Sequence, residues 1–138
     1  MAFEKAFSIW VLVGILAQSV PCLASSDDLP QQVVLVVREK QLLAFSSSRG
    51  SWVFRDLMAQ EWVQGSKTAS HVAVVVTNLR VLGFSGETGL WAEERLEVGE
   101  RIMSMEADGK VGSVVTNVRA LAFGARMGTW EVVRFPLK

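Results

Sequence analysis

The sequence is poor in the residues that build metal centres and covalent active sites. Its 138 residues include one cysteine, one histidine and no tyrosine. A zinc site of the Cys/His type takes four ligands and a disulfide takes two cysteines, so one chain can form neither. Fourteen Lys and Arg residues balance fourteen Asp and Glu residues, so no net charge attracts nucleic acid or anionic lipid. We therefore predict no metal, no cofactor and no nucleic-acid partner.

The composition is nevertheless that of a folded protein. Half of the residues are hydrophobic and a fifth are charged, which excludes a disordered or collagen-like chain. The length lies within the roughly 100–200 residues of a typical domain. The chain is therefore expected to form a single domain around one hydrophobic core.

The first 24 residues are typical of a secretory signal peptide. Residues 6–20 form an apolar run that is shorter than the about 20 apolar residues of a transmembrane helix, and small residues follow it. Cleavage after Ala24 fits this pattern best. Cleavage would remove Cys22, so residues 25–138 would contain no cysteine and would suit an oxidising compartment. The sequence thus predicts a periplasmic or secreted protein with no stable membrane span after cleavage.

The rest of the chain repeats with a period of 39 residues. Seven positions are identical in all three copies, and no gap interrupts the register: Val33, Val72 and Val111; Val36, Val75 and Val114; Val37, Val76 and Val115; Leu43, Leu82 and Leu121; Phe45, Phe84 and Phe123; Gly50, Gly89 and Gly128; Trp52, Trp91 and Trp130. The second and third copies also share Thr77 and Thr116, Asn78 and Asn117, Arg80 and Arg119, and Arg95 and Arg134. Residues 25–138 are therefore predicted to form one β-repeat domain with units 33–71, 72–110 and 111–138.

Each unit is predicted to consist of short strands joined by tight turns. The first two strands of a unit, such as 33–37 and 42–46, are rich in apolar and β-branched residues. Asn78 and Asn117 in the turns between these strands suit the left-handed backbone of a tight hairpin. A glycine ends the next turn of every unit, before a third strand that begins near the tryptophan. The fourth strands are expected at 61–64 and 101–105, and the third unit lacks one.

The hydrophobic pattern favours sheets that are stacked on one another. The first two strands of a unit are apolar at successive positions, so both of their faces must be covered, whereas the third strand mixes polar and apolar residues. Buried inner strands and a wetter outer strand are typical of a β-propeller blade. We therefore predict an all-β fold of three four-stranded repeat units of β-propeller type, which amount to half a propeller. A β-trefoil, which also has three four-stranded units, is the alternative.

The second unit resembles a known repeat. Its stretch VVVTNLRVLGFSGETGLW, at residues 74–91, and the segment ADGKV at residues 107–111 are similar to the pyrroloquinoline-quinone-type β-propeller repeat. The resemblance extends from Val33 to Lys138 and implies propeller blades. Its implications do not include the quinone, because family members that use that cofactor have a metal-binding acidic centre that no residue here matches. The tryptophan also follows the glycine by two positions, which is earlier than in the family's blade.

The repeated tryptophans and two repeated arginines are the candidate ligand-binding residues. Trp52, Trp91 and Trp130 could stack on sugars as in repeat lectins, although an aromatic side chain beside a repeated glycine more often packs between units. Arg80 and Arg119 could bind an anion or the carboxylate of a partner, and the alternative is that they only keep a turn soluble.

The predicted function follows from an unfinished ring. Three blades do not close a propeller, and an open sheet edge invites pairing. We therefore expect two chains to form a six-bladed ring with two-fold symmetry, or one chain to dock on a larger protein partner. No catalytic residues are predicted, and the favoured function is a non-enzymatic, exported β-propeller-type binding or assembly module. A carbohydrate-binding lectin is the alternative, and a hydrolase that uses Glu87 and Asp108 is a weaker third class.

Overall fold

The computed structural model of this chain describes residues 30–137, which form eleven β-strands. The strands are β1 (Val33–Val37), β2 (Gln41–Ser46), β3 (Ser51–Asp56), β4 (Val63–Thr68), β5 (Val72–Thr77), β6 (Arg80–Ser85), β7 (Trp91–Arg95), β8 (Ile102–Asp108), β9 (Val111–Thr116), β10 (Arg119–Gly124) and β11 (Trp130–Arg134). The described residues contain no helix, and hence none suited to crossing a bilayer. The predicted all-β class is therefore confirmed. The predicted signal peptide, residues 1–24, lies outside the described residues.

The strands form three separate antiparallel sheets. The first sheet has the order β1-β2-β3, the middle sheet β4-β5-β6-β7, and the third sheet β8-β9-β10-β11. Each strand pairs only with its neighbours in the sequence, so every sheet is a simple meander. Such local pairing follows from the short turns, because a connection of two to five residues returns the chain directly beside the strand it has left.

The strand after each tryptophan-bearing strand belongs to the next sheet, which corrects the predicted order. Residues 61–64 and 101–105 were expected to end a unit. Instead β4 pairs with β5 and β8 pairs with β9, so these strands begin the middle and third sheets. The third sheet therefore has all four strands, contrary to the prediction that its last strand is missing. The first sheet has three strands within residues 30–137; the residues that correspond to β4 by the repeat, 24–29, lie outside this range.

The three sheets stack face to face, with the middle sheet between the other two. Strand β1 contacts β4 and β5; on the other side β4 contacts β8, and β5 contacts β8 and β9. Strands β5 and β6 are buried along their whole length because a sheet covers each of their faces. Strands β2 and β9 alternate between more and less buried residues because only one of their faces is covered. The prediction that the first two strands of each unit are buried on both faces is thus confirmed only in the middle unit.

Small residues let neighbouring sheets approach closely. Phe84 of the middle sheet shares a buried cluster with Ala44 of the first sheet. In the same way, Phe123 of the third sheet packs on Gly83, where an added Cβ would lie 2.7 Å from the ring. Real Cβ atoms essentially never come within 3.0 Å of a neighbour, so Gly83 has no room for a side chain. The middle and third sheets therefore each pack a phenylalanine against a small residue of the sheet before them.

The turns confirm the predicted role of glycine and correct that of asparagine. Gly50, Gly89 and Gly128 have φ angles of 66°, 70° and 67°, the left-handed region that glycine adopts without steric cost. No other residue type has a positive φ within the described residues, so Asn78 and Asn117 are not left-handed. Their side chains instead bond the preceding linker: the Oδ1 of Asn78 accepts from the Trp62 N–H at 2.9 Å, and the Oδ1 of Asn117 accepts from the Arg101 N–H at 2.8 Å.

Candidate functional site

The three repeated tryptophans occupy equivalent positions but different environments. Each ring lies beside the phenylalanine of the adjacent strand, with centroids 5.1–5.4 Å apart. The indole N–H of Trp91 donates to the carbonyl oxygen of Val53 in the first sheet, and that of Trp130 to Ala92 in the middle sheet, both at 3.2 Å. Trp130 is 8% exposed, whereas Trp52, which has no sheet before it, is 46% exposed. The candidate sugar-stacking residues are therefore not three equivalent open sites.

Arg80 lies at the start of β6 and is held in a buried cluster. Its Nε and Nη2 donate to the two carboxylate oxygens of Glu61 at 2.8 and 2.9 Å, in the bidentate geometry that suits a guanidinium. The hydroxyl of Thr77 donates to the same carboxylate at 2.6 Å. We call Glu61, Thr77 and Arg80 the first clasp. Because Arg80 also donates to the carbonyl oxygen of Asp56 at 3.0 Å, the clasp ties the middle sheet to the end of the first.

The same cluster recurs one repeat later. Arg119 donates from Nε and Nη2 to the two oxygens of Glu100 at 2.8 and 3.0 Å, and the hydroxyl of Thr116 donates to that carboxylate at 2.7 Å. These three residues form the second clasp. Arg119 also donates to the carbonyl oxygen of Arg95 in the middle sheet. Both candidate anion-binding arginines therefore have a carboxylate partner inside the protein.

Sequence reasoning missed Glu61 and Glu100, although a signal for them was present. The two glutamates are 39 residues apart, like the repeated positions. Their bonding partners are also positions that the second and third units share: Thr77 and Thr116, and Arg80 and Arg119. The 39-residue repeat extends into the linkers before β4 and β8, where each glutamate precedes a repeated arginine by 19 residues. The first unit has no such cluster, because Arg38 and Gln41 replace the threonine and the arginine.

The electrostatics of the first clasp favour its charged form. Burial by itself would raise the pKa of Glu61, but hydrogen bonds from Arg80, Thr77 and the Met58 N–H outweigh it and hold the pKa below the ordinary 4.5. The pKa of Glu93 is also lowered, since burial is outweighed by its bonds to Arg80 and Arg55. The pKa of Arg80 is raised by the two carboxylates, against the effect of burial. The cluster is therefore ionised at neutral pH.

We expect the free energy of unfolding to fall when the pH is lowered below about 4.5. Glu61 and Glu93 have lower pKa values in the folded protein than in the unfolded chain, so the unfolded chain takes up protons first and acid favours unfolding. Their stabilisation is complete above the ordinary pKa and is lost as the pH falls through the lowered values. Urea unfolding at a series of pH values measures this, and Glu61→Gln should make the loss shallower. An equally steep loss in that variant would contradict the assignment.

The outer face of the first sheet is apolar and open. Two rows of paired residues cross it from β1 to β3, and paired residues of neighbouring strands share a face. The rows are Val34, Phe45 and Trp52, and Val36, Leu43 and Phe54. All six side chains are hydrophobic, and each is exposed or partly exposed. The equivalent rows of the middle sheet, which face the first sheet, are Ala73, Phe84 and Trp91, and Val75, Leu82 and Glu93.

The outer face of the third sheet is open too, but its two rows contain no aromatic residue and are mostly small. Its two rows are Ser113, Ala122 and Glu131, and Val115, Ala120 and Val133. None of these six is buried. The equivalent residues of the first sheet, such as Ala44, face the middle sheet and receive Phe84. One end of the stack thus presents large aromatic side chains, and the other presents mostly small side chains together with Glu131.

His71 and Glu87 each bond a neighbouring side chain. His71 shares a hydrogen bond with Ser70, and Glu87 forms an ion pair with Lys110 at 3.0 Å. Within residues 30–137, no three His, Cys, Asp or Glu side chains converge as metal ligands would.

No protein-family model matches the sequence, and comparison with curated proteins found no similar sequence.

Proposed function

We propose that this chain is a non-enzymatic, exported assembly module of β-propeller type, which binds protein through the outer faces of its first and third sheets. The observation that carries the proposal is the contrast between equivalent faces. Each face of the middle sheet is covered by a neighbouring sheet, whereas the corresponding faces at the two ends of the stack leave apolar side chains in water. Exposed contiguous apolar faces of this kind mark protein interaction sites.

The way in which the sheets join supports blades of propeller type. Each sheet bonds to the next through the same groups: the Ser46 hydroxyl donates to the Gly86 carbonyl oxygen at 2.5 Å, and the Ser85 hydroxyl donates to that of Ala125. Stacked four-stranded meanders related by a constant repeat are the architecture of a propeller. The trefoil alternative requires strands of all three units to join in one closed barrel, whereas the described strands form three separate sheets.

The buried charges favour a structural role over a catalytic one. Within the described residues, Glu61, Arg80 and Arg119 are buried, the side chain of Glu100 is buried as well, and all four belong to the two clasps. Each clasp satisfies its charges internally and links consecutive sheets. The lectin alternative gains no support from the tryptophans, because Trp91 and Trp130 use their indole N–H groups between sheets. Protein binding through the open faces therefore remains the function that the geometry favours.

The binding of an apolar dye tests whether the outer faces of the first and third sheets are accessible and bind apolar groups. The purified protein, diluted until it sediments as one chain, is expected to enhance the fluorescence of anilinonaphthalene sulfonate. Phe54→Glu and Val133→Arg should each reduce that fluorescence, because they place a charge on one outer face. Val98→Glu is the matched control, since Val98 is a fully exposed loop residue on neither face. Equal dye binding by all three variants and the parent protein would contradict the proposal. A shift of tryptophan emission on titration with sugars would favour the lectin instead.

A further inference from the structure

We infer that the partner on both outer faces is a second copy of this chain, bound so that the third sheet of each copy covers the first sheet of the other. This inference rests on the proposed function and names its partner. It comes from the two sheet-to-sheet interfaces already inside the chain. Because the units repeat, these interfaces specify which residues would meet if the third sheet were followed by another first sheet.

The first match is between a phenylalanine and a small residue. Ala44 receives Phe84, and Gly83 receives Phe123. One repeat further on, the same relation places Ala122 of the third sheet against Phe45 of a second copy. Ala122 is exposed and Phe45 is only partly buried, whereas Phe84 and Phe123 are fully buried. The open faces thus carry the two halves of a contact that the chain makes twice internally.

The second match replaces an ion pair by an apolar pair. Between the first and middle sheets, Arg55 bonds Glu93 at 3.1 Å. The residues equivalent to this pair at the open faces are Val133, which is 67% exposed, and Phe54, which is 57% exposed. If both faces met only water, charged residues like those of the internal pair would be expected at these two positions. Instead both positions are hydrophobic, which suits burial against each other.

The edge residues continue the same register. Trp91 and Trp130 donate to carbonyl oxygens of the preceding sheet, and the repeat gives Trp52 the carbonyl of Glu131 in a second copy. Arg49 packs on Gly89, and Thr88 packs on Gly128. A Cβ atom added to each glycine would lie 3.0 Å from the Arg49 side chain and 2.9 Å from the Thr88 side chain. The corresponding pair is the exposed Met127 and Gly50, which has nothing within 4 Å of an added Cβ.

Two internal bonds are not continued, which is consistent with a more apolar interface. Gln41 stands where the guanidinium groups of Arg80 and Arg119 donate to the preceding sheet. Gly124 stands where Ser46 and Ser85 donate their hydroxyls, so this position cannot supply the bond. Two copies would bring together six sheets, which lies within the about four to eight blades of closed propellers. Each interface would join unlike faces, and a two-fold axis would relate the two interfaces. The assembly would then leave neither outer face open.

A charge exchange tests this arrangement by sedimentation velocity. The purified protein is expected to sediment as a dimer. Val133→Arg or Phe54→Glu alone should weaken dimerisation by at least about tenfold, because each buries an unpaired charge. The double variant Val133→Arg/Phe54→Glu should restore the dimer, since it recreates the ion pair of Arg55 with Glu93 at the new interface. The matched control Val133→Arg/Phe54→Arg, which places like charges there, should stay dissociated.

The outcomes separate this inference from the proposed function. A parent protein that sediments as one chain at every concentration would overturn the second-copy partner, and dye binding at the open faces would then leave the assembly function intact for a different protein. A dimer that Phe54→Glu breaks and Val133→Arg does not would show like faces meeting and would also overturn the inference. Failure of the opposite-charge double variant to recover the dimer, with its circular dichroism unchanged, would do the same. Failure of the dilute parent protein to bind the dye, or equal dye binding by the parent and all three variants, would instead contradict the proposed function itself.

Discussion

Arg80→Ala is expected to lower the free energy of unfolding by about 3–5 kcal/mol. The substitution leaves the carboxylate of Glu61, which is 1% exposed, without the guanidinium that bonds both of its oxygens. A buried charge that loses its partner has neither water nor a counter-ion to stabilise it, so the folded state carries the cost. Urea unfolding near neutral pH, followed by circular dichroism, measures the change. Arg119→Ala in the second clasp should act in the same direction.

A surface ion pair provides the comparison for this effect. Lys67 and Glu106 are also paired between consecutive sheets, at 3.8 Å, but both side chains are half exposed or more. Lys67→Ala should therefore cost no more than about 1 kcal/mol. Glu61→Ala/Arg80→Ala should cost less than the sum of its single variants, because it leaves no charge unpaired. If Arg80→Ala cost no more than Lys67→Ala, the clasp would not be a stabilising link between the sheets.

Phe84→Ala is expected to cost about 3–5 kcal/mol, the range for truncating a fully buried phenylalanine. Phe84 lies between the first and middle sheets, in a cluster with Val33, Ala44 and Ala73 and with its ring 5.2 Å from that of Trp91. Truncation would remove this contact from both sheets at once and leave a cavity at their junction. Chemical unfolding monitored by tryptophan fluorescence and circular dichroism measures the loss.

The matched control is a phenylalanine that has no covering sheet within the chain. Phe54→Ala, measured in protein dilute enough to sediment as one chain, should change the free energy of unfolding by less than about 1 kcal/mol because most of the ring is already in water. At concentrations at which a second copy binds, Phe54→Ala should instead weaken association. Equal losses of stability for the two variants in dilute protein would contradict the packing described for Phe84.

The sequence predicted most of the strands because their signals are local. β-Branched runs and a constant period identify β5, β6, β9 and β10, and the glycines at 50, 89 and 128 end turns as expected. The pairing of β4 was not predictable in the same way. Both β3 and β5 are neighbours of β4 in the chain, and the choice between them depends on how the linker at residues 57–62 turns. Two hydrogen bonds fix the path of that linker. Glu61 bonds Thr77 at the end of β5, and Asn78, in the turn after β5, bonds the N–H of Trp62.

The candidate site shows the same division. The repeat identified Arg80 and Arg119 but not their glutamate partners. The sequence pattern of an arginine in a turn is the same whether its guanidinium faces water or a carboxylate. The distances to Glu61 and Glu100 resolved this, and they arise only when the linker folds over the end of the sheet. The clasp therefore belongs to the tertiary structure, although every residue of it was visible in the repeat.

What the sequence alone determined is the unit: an all-β chain, its 39-residue period, its strands and its turn glycines, all of which depend on residues close together along the chain. Only the tertiary structure decided which strands share a sheet and which copies of a repeated residue are buried. Phe45 and Phe84, or Trp52 and Trp130, are identical in the sequence and differ in exposure because burial depends on whether another sheet covers the residue.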